Sequence, residues 1–393
     1  MHVALVNNLY VPHFIGGAEL SVQLLAETLV DDVERVSIIT LGKKQESRIL
    51  KGVHIHPILL ANLYWPFGQE AAPIKKAGLH LIDIHNFIME RRFANKLDEI
   101  RPDIVHTNNL AGFSVSAWKA CVKRGVPVVH TLRDFHLLCY RSNMFRGGES
   151  CGRQCLDCAA LGTYRKWSSR QVDFVVGISK SILNEHLSRG FFKGCSNTVV
   201  YNGVEKSAIS RSPDTDIIRF GFVGRLTPQK GIEWLITAFC DPEIMAKSSL
   251  EIIGEGIPNY VSHLKSIVPK GAAITFRGHL PAAEVMSDIN ILVTPSMWRE
   301  PFGRAVAEAQ AAGIPVIGND IGGVGEIIVD GETGFLIKRD IPTSLIEAML
   351  KFIRNSSLTK EMLPACISNA ERFRVDVMAS KYLEVYNEVI NSN

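Results

Sequence analysis

Residues Ser296 to Ile317 read SMWREPFGRAVAEAQAAGIPVI, directly after INILVTP at Ile289 to Pro295. The earlier run is short, apolar and rich in β-branched residues, as a buried strand requires. Pro301 is unfavourable inside a helix but suits a first turn, and the stretch from Phe302 onward is rich in helix formers. Gly313 is placed to end that helix. Strand, loop and helix therefore follow one another here, with Glu300 in the loop and Glu308 about two turns further on.

The same alternation runs through the whole chain. HVALVNN opens the first half, and RVSIIT, GVHIHPI, PDIVHTN, VPVVHTL and DFVVGIS follow as strand-like runs. Between the first two lies AELSVQLLAETLV, whose Leu20, Leu24, Leu25 and Leu29 share one helical face. After a polar stretch near Asn202 to Asp216 the pattern restarts with IRFGFVG, SLEIIGEG, AAITFRG, INILVTP and IPVIGND. Strands alternating with helices predict parallel sheets covered by helices on both faces. The expected domains are 1–205, 206–374, and a last helix, 375–393, packing back on the first. Ligands of two such halves are expected at the carboxyl ends of their strands, in a cleft between them.

The 393 residues suffice for two domains with full cores. A net charge of +3 argues against general nucleic-acid binding. MHVALVNNLY lacks the cationic start and apolar core of a signal peptide, and no run of about 18 apolar residues occurs. The expectation is a cytoplasmic protein whose eight cysteines are thiols or metal ligands rather than disulfides.

Several motifs carry chemistry. In VGRLTPQKG, Arg225 and Lys230 flank a proline turn after a strand, and two such cations can clamp a diphosphate. The helix start around Phe302, Gly303 and Arg304 offers free N–H groups to an anion, and Gly303 lets the backbone come close. Glu300 and Glu308 can grip sugar hydroxyls. A solvated loop and a surface helix are the ordinary alternatives. Cys139, Cys151, Cys155 and Cys158, spaced by 11, 3 and 2 residues, suggest a structural zinc site, against a group of buried thiols. Asn62 to Ile82 and Met89 to Lys96 mix aromatic with basic residues, which suits contact with an anionic membrane as well as a solvated basic face.

GGAE at Gly16 to Glu19, RPDIVH, YNGV, VGRLTPQKG, GEG, the stretch around Glu300, and GGVGEIIVDGETGFL together resemble the family 4 retaining glycosyltransferases of the GT-B fold. The likeness covers nearly the whole chain. It implies an α/β fold with two Rossmann-like, doubly wound parallel-sheet domains facing a cleft. The first domain would bind acceptor and the second the nucleotide sugar. By this resemblance Glu300 contacts the donor sugar, Glu308 the ribose, and Arg225 and Lys230 the diphosphate. Gly17, beside Gly16, permits close approach at the first helix. Backbone near Phe276, Arg277 and Gly278 reads the base.

Such enzymes need no protein nucleophile, and no catalytic metal is expected where two cations hold the diphosphate. The implied activity is a retaining hexosyltransferase using a UDP-sugar, with a GDP-sugar second. The acceptor would be a glycan or lipid-linked glycan of a surface polysaccharide, met on the membrane's cytoplasmic face. A phosphorylase or epimerase on the same plan, or a non-catalytic nucleotide-sugar-binding partner subunit, are the rival readings. One departure stands out. In PVVHTLRDFHLLC the family's histidine position holds Arg133, which suggests recognition of an anionic group or a structural bridge to a carboxylate such as Asp134.

Overall fold

A computed structural model describes residues 1–13, 16–67, 72–206 and 217–392. Most of the linker expected at 202–216 thus lies outside the described residues, as do 14–15 just before the GGAE motif and 68–71 in the aromatic, basic stretch. By its contacts the chain divides into two units. One comprises Met1–Met144, Gly152–Gly203 and Val375–Asn393; the other comprises Phe145–Cys151 and Val204–Arg374.

The first unit contains strands β1 (His2–Val6), β2 (Arg35–Gly42), β3 (Arg48–Leu50), β4 (Val53–Leu59), β5 (Ile104–Thr107) and β6 (Val128–Leu132). A two-stranded hairpin, β7 (Phe145–Arg146) and β8 (Glu149–Ser150), belongs to the second unit; β9 (Phe174–Gly177) and β10 (Ser196–Val199) return to the first. The first sheet has the order β10-β9-β6-β5-β1-β2-β4-β3, parallel except for the β3–β4 edge pair. Every residue of β1, β5 and β6 is buried, which is why these runs are apolar or β-branched rather than alternating, apart from one buried histidine in each, His2, His106 and His130.

The second unit carries β11 (Ile218–Val223), β12 (Ser248–Ile253), β13 (Ile274–Gly278), β14 (Ile291–Thr294), β15 (Val316–Asn319) and β16 (Gly334–Ile337). These form an all-parallel sheet of order β13-β12-β11-β14-β15-β16. Its core joins Phe220, Phe222, Ile252 and Val293 of the strands to Leu235, Phe239, Met349 and Phe352 of the helices. The strand order reverses at β1/β5 in the first sheet and at β11/β14 in the second, and such reversals open a crevice at the carboxyl ends. Among the described residues, no helix is long and apolar enough to cross a membrane.

The final helix, Val375–Ser392, packs on the helix Gly17–Leu29 within the first unit. Polar groups tie it to the sheet. His106 Nδ1 lies 2.6 Å from the Tyr386 hydroxyl and its Nε2 lies 2.7 Å from Thr131 Oγ1; Thr131 in turn meets Tyr382 at 3.0 Å. All four side chains are buried, so each bond satisfies a group that water cannot reach. Tyr386→Phe leaves His106 Nδ1 without this partner and is expected to cost about 1–3 kcal/mol of unfolding free energy. A urea titration that moves less than about 0.5 kcal/mol would refute this account of the helix's anchorage.

Burial also shifts protons. It lowers the pKa values of His106 and His136 well below the ordinary range, pushes His130 down to about 3 and His186 to about 4. It pushes Asp83 and Asp134 up to about 6. In the unfolded chain the histidines titrate near about 6.5, so below that pH the unfolded state binds protons that the folded state refuses. Stability from these groups is therefore present above about 6.5 and is lost as the pH falls. The two aspartates act oppositely between about 6 and 4, because the folded state holds their protons more tightly. Four histidines outweigh two aspartates. Unfolding free energy is expected to fall by about 2–3 kcal/mol per pH unit near pH 5. Denaturation midpoints that stay level between pH 5 and 7 would contradict it.

Candidate active site

In the second unit the site grows from the loops that follow β11 and β14. After β11 the chain makes a turn at Pro228–Lys230 and passes through Gly231 at φ 71°. A Cβ on Gly231 would stand 2.1 Å from the Pro295 carbonyl oxygen, so only glycine lets this turn lie on the end of β14. The Met297 N–H closes the contact by donating to the Gln229 carbonyl at 2.8 Å.

This packing brings Lys230 Nζ to 2.8 Å from Glu300 Oε1, with the two side chains only 17% and 12% exposed. The Ser296 hydroxyl donates to the same carboxylate oxygen. Lys230 Nζ also lies 5.7 Å from the centre of the Trp298 ring. Asn319, at the end of β15, donates from Nδ2 to the Ser296 carbonyl at 2.9 Å. The loop's far side rests on Gly322 and Gly323. Gly323 N–H donates to the Glu300 carbonyl at 2.7 Å, and a Cβ on Gly322 would stand 2.5 Å from that oxygen. Sequence reasoning did not identify Ser296 or Asn319, and gave the glycine pair no role. A polar residue at each strand end was the available signal.

Arg225 lies exposed in the loop after β11 and makes no ion pair among the described residues. Its neighbours are fixed by backbone contact, since Leu226 N–H donates to the Glu255 carbonyl at 2.7 Å. The VGRL and GEG motifs thus run side by side.

The helix carrying Glu308 spans Arg304–Ala311, after Gly303 at φ 102°. Pro301 therefore sits in the preceding loop and not in the first turn, because the left-handed residue Gly303 separates loop from helix. Arg304 Nε meets Glu308 Oε1 at 2.7 Å. Burial raises the pKa of Glu308, Arg304 opposes this, and the charge of Glu205 adds to it. The Phe302 ring is buried edge-on against Phe373 at 5.7 Å, and its backbone packs on Gly323, where a Cβ would stand 2.6 Å from the Phe302 carbonyl oxygen. Arg277 turns its side chain to Asp288 at 2.6 Å, and the Gly278 carbonyl accepts the Gly254 N–H at 2.8 Å. The β7–β8 hairpin lies beside the Glu300 loop. Ser150 Oγ donates to the Met297 carbonyl at 3.3 Å, and Arg339 Nη2 donates to the Gly148 carbonyl at 2.8 Å.

In the first unit, the end of β6 and the loops after β5 and β6 line a pocket with Asn108, Asn109, His130, Arg133, Asp134 and His136. Arg133 is 6% exposed and donates from Nε to Asn108 Oδ1 and from Nη1 to Asn202 Oδ1, both at 2.7 Å. Asp134 accepts from Asn109 Nδ2 at 3.0 Å and from the His136 N–H at 2.7 Å. At the first helix the Glu19 carboxylate accepts the Gly16 N–H at 3.0 Å, so the GGAE motif includes its own helix cap immediately before Gly17.

The cysteine-rich segment is divided. Cys139, Cys155 and Cys158 belong to the first unit, whereas Cys151 is the last residue of the segment counted with the second. The Cys155 and Cys158 sulfurs and the Asp157 carboxylate lie within 4.8 Å of one another, and Cys139 neighbours Cys158 outside that group. Asp157 was not among the residues expected there.

Known proteins share this architecture. The family model described as Glycosyltransferase Family 4 matches residues 15–207, and that described as Glycosyl transferases group 1 matches residues 218–355. An uncharacterized 42.6 kDa protein in the cps region of Klebsiella pneumoniae is 31% identical over 392 residues, covering 98% of this chain and all of that one. Sucrose-phosphate synthase from Thermosynechococcus elongatus superposes with a TM-score of 0.79 at 17% identity, over the full length of both chains. Anabaena HepE, solved in complex with UDP, gives 0.75 at 18% identity, over 99% of this chain and 100% of its own. With two adjoining family matches, a full-length relative and a shared two-sheet architecture, the chain belongs to the family 4 glycosyltransferases of the GT-B fold.

Proposed function

We propose that this glycosyltransferase moves a hexosyl group, with retention of anomeric configuration, from a UDP-sugar to a glycan or lipid-linked glycan of a surface polysaccharide. The observation that carries the reading is the Lys230–Glu300 pair at 2.8 Å, set at the reversal of a parallel sheet beside the exposed Arg225. A carboxylate held by a cation and a hydroxyl is fixed in place for hydrogen bonding to a sugar. The two cations suit the diphosphate. The UDP bound by HepE favours that base over GDP, and the Klebsiella relative's cps region favours a capsule-type product.

In the proposed reaction the bond from the anomeric carbon to the β-phosphate oxygen breaks, and a bond to the acceptor oxygen forms on the same face. The acceptor's proton passes to the departing phosphate oxygen, so no protein nucleophile is consumed. Arg225 and Lys230 stabilise the charge that grows on the diphosphate. Glu300 orients the sugar, Glu308 takes the ribose hydroxyls, and the backbone from Phe302 to Arg304 faces the donor. Gly16 and Gly17 leave room at the first helix. An acceptor on a lipid would draw the enzyme to the membrane's cytoplasmic face. Phe87 and Ile88, exposed beside Arg91, Lys119 and Lys123, are the proposed contact.

Calorimetry with UDP and assays of transfer separate these roles. Arg225→Ala and Lys230→Ala are each expected to weaken UDP binding by about 1.5–3 kcal/mol. Glu300→Ala is expected to bind UDP about as well as the wild type while losing transfer about 100- to 1,000-fold. Parallel loss of UDP binding in Glu300→Ala would place that residue on the nucleotide instead. A product whose anomeric proton coupling differs from the donor's would overturn retention.

Arg133 is proposed to recognise an acidic group, either on the acceptor or as a uronic-acid carboxylate of the donor. Its guanidinium is held flat by Asn108 and Asn202, a bridge that one ammonium cannot reproduce. Arg133→Lys is expected to lower kcat/KM for acidic substrates at least about tenfold, the loss of one charged hydrogen bond. Arg133→His is expected to shift preference toward neutral ones. Unchanged ratios of acidic to neutral kcat/KM in both variants would make Arg133 a structural cation.

A further inference from the structure

The helix Leu156–Ser168 begins inside the cysteine-rich segment, with Cys155 as its N-cap. Its first turn presents Cys155, Asp157 and Cys158, whose ligand atoms lie within 4.8 Å of one another. Ligands about 2.3 Å from a tetrahedral zinc stand about 3.8 Å apart, so this spacing is close to a coordination sphere. A third sulfur comes from the other end of the cysteine-rich segment, where Cys139 neighbours Cys158 just outside that 4.8 Å group.

That approach is built, not incidental. Gln154 Nε2 donates to the Leu138 carbonyl at 2.6 Å and to the Cys158 carbonyl at 3.2 Å, fastening the residue before Cys139 to the helix start. Gly162, one helical turn on, admits this bridge, since a Cβ there would meet Gln154 Nε2 at 2.9 Å. Cys139 and Cys158 are each 5% exposed. A pair of cysteines two residues apart at a helix start would suit a redox disulfide as well. A carboxylate between the pair and a third sulfur beside Cys158 favour a metal.

We propose that Cys139, Cys155 and Cys158 bind one zinc ion as thiolates, with the Asp157 carboxylate as fourth ligand. Binding releases three thiol protons, giving three S–Zn bonds and one O–Zn bond, with no change of oxidation state. The ion has no open coordination position and holds together the two ends of the 140–154 segment. The site is independent of the donor reaction proposed above.

The test uses the full chain, purified under reductant without chelator, and then stripped and reloaded with cobalt(II). One zinc per chain is expected as isolated, and about three protons should be released on reloading. Cobalt should show intense thiolate charge-transfer absorption and the visible bands of a tetrahedral site. Cys155→Ser and Cys158→Ser are expected to lose most of the metal. Asp157→Asn should keep the charge-transfer band with at least about tenfold weaker affinity, while Cys151→Ser should match the wild type. Stripping the wild type should lower Tm by about 5 °C with the far-ultraviolet spectrum restored on reloading, a readout that no variant's folding failure can mimic.

Protein that stays metal-free after zinc addition, with no cobalt band, would overturn the site, as would recovery of a Cys155–Cys158 disulfide in place of metal. Loss of metal in Cys151→Ser with none in Asp157→Asn would overturn the assignment of the fourth ligand.

Discussion

The second unit depends on backbone touching backbone where its strands end. A Cβ on Gly254 would fall 1.8 Å from the Gly224 carbonyl oxygen, and one on Gly231 would fall 2.1 Å from that of Pro295. No rotamer change relieves such overlaps, because the opposing atom belongs to the main chain. The loops after β11, β12 and β14 are therefore a single layered object. Lys230 and Glu300, 70 residues apart in the chain, reach 2.8 Å because the layers beneath them have no side chains to hold them off. The site's geometry is thus set by absent methyl groups as much as by the charged residues themselves.

Within that layer the charges are arranged in pairs. Lys230 holds Glu300 and Arg304 holds Glu308, each cation about one hydrogen-bond length from its carboxylate. Partial burial strengthens such pairs and also makes an unpaired carboxylate costly, as the raised pKa of Glu308 indicates. The pairs fix the side chains before any ligand arrives, which lowers the ordering cost of binding. A polyanionic ligand would then compete for Lys230 with a carboxylate that has the Ser296 hydroxyl in reserve.

Local pattern made the architecture readable. Largely apolar runs such as HVALV and VVHTL became central strands buried on both faces, and Leu24, Leu25 and Leu29 became the buried side of their helix, with Leu20 only half-buried at its margin. Residues tied to a strand end or helix start, Glu300, Glu308, Arg225 and Lys230, could be placed because that position follows from the strand-loop-helix period. What escaped is pairing over long separations. Asn202 lies 69 residues from Arg133, and no periodicity announces that its side chain holds the guanidinium. The passage of 145–151 into the second unit escaped for the same reason, since hairpin contacts with Met297 and Arg339 depend on distant segments. Asp157 escaped because an aspartate inside a Cys-x-x-Cys reads as a spacer until the helix turn brings its carboxylate back to the sulfurs.

The two units put the same topological device to different chemical use. At the reversal of the second sheet the loops present charge: one exposed arginine and two cation–carboxylate pairs. At the carboxyl ends of β5 and β6 in the first they present amides and imidazoles around the buried guanidinium of Arg133, with that of Arg165 donating to the His136 carbonyl behind them. The charge of Arg133 helps to keep His106 and His130 neutral, although burial contributes more. Neutral imidazoles can both donate and accept, which is what allows His106 to link a strand threonine to a tyrosine of the last helix. Arg133 thus touches two functions at once. It shapes the pocket wall through Asn108 and Asn202, and it biases the protonation of His106, which anchors the C-terminal helix.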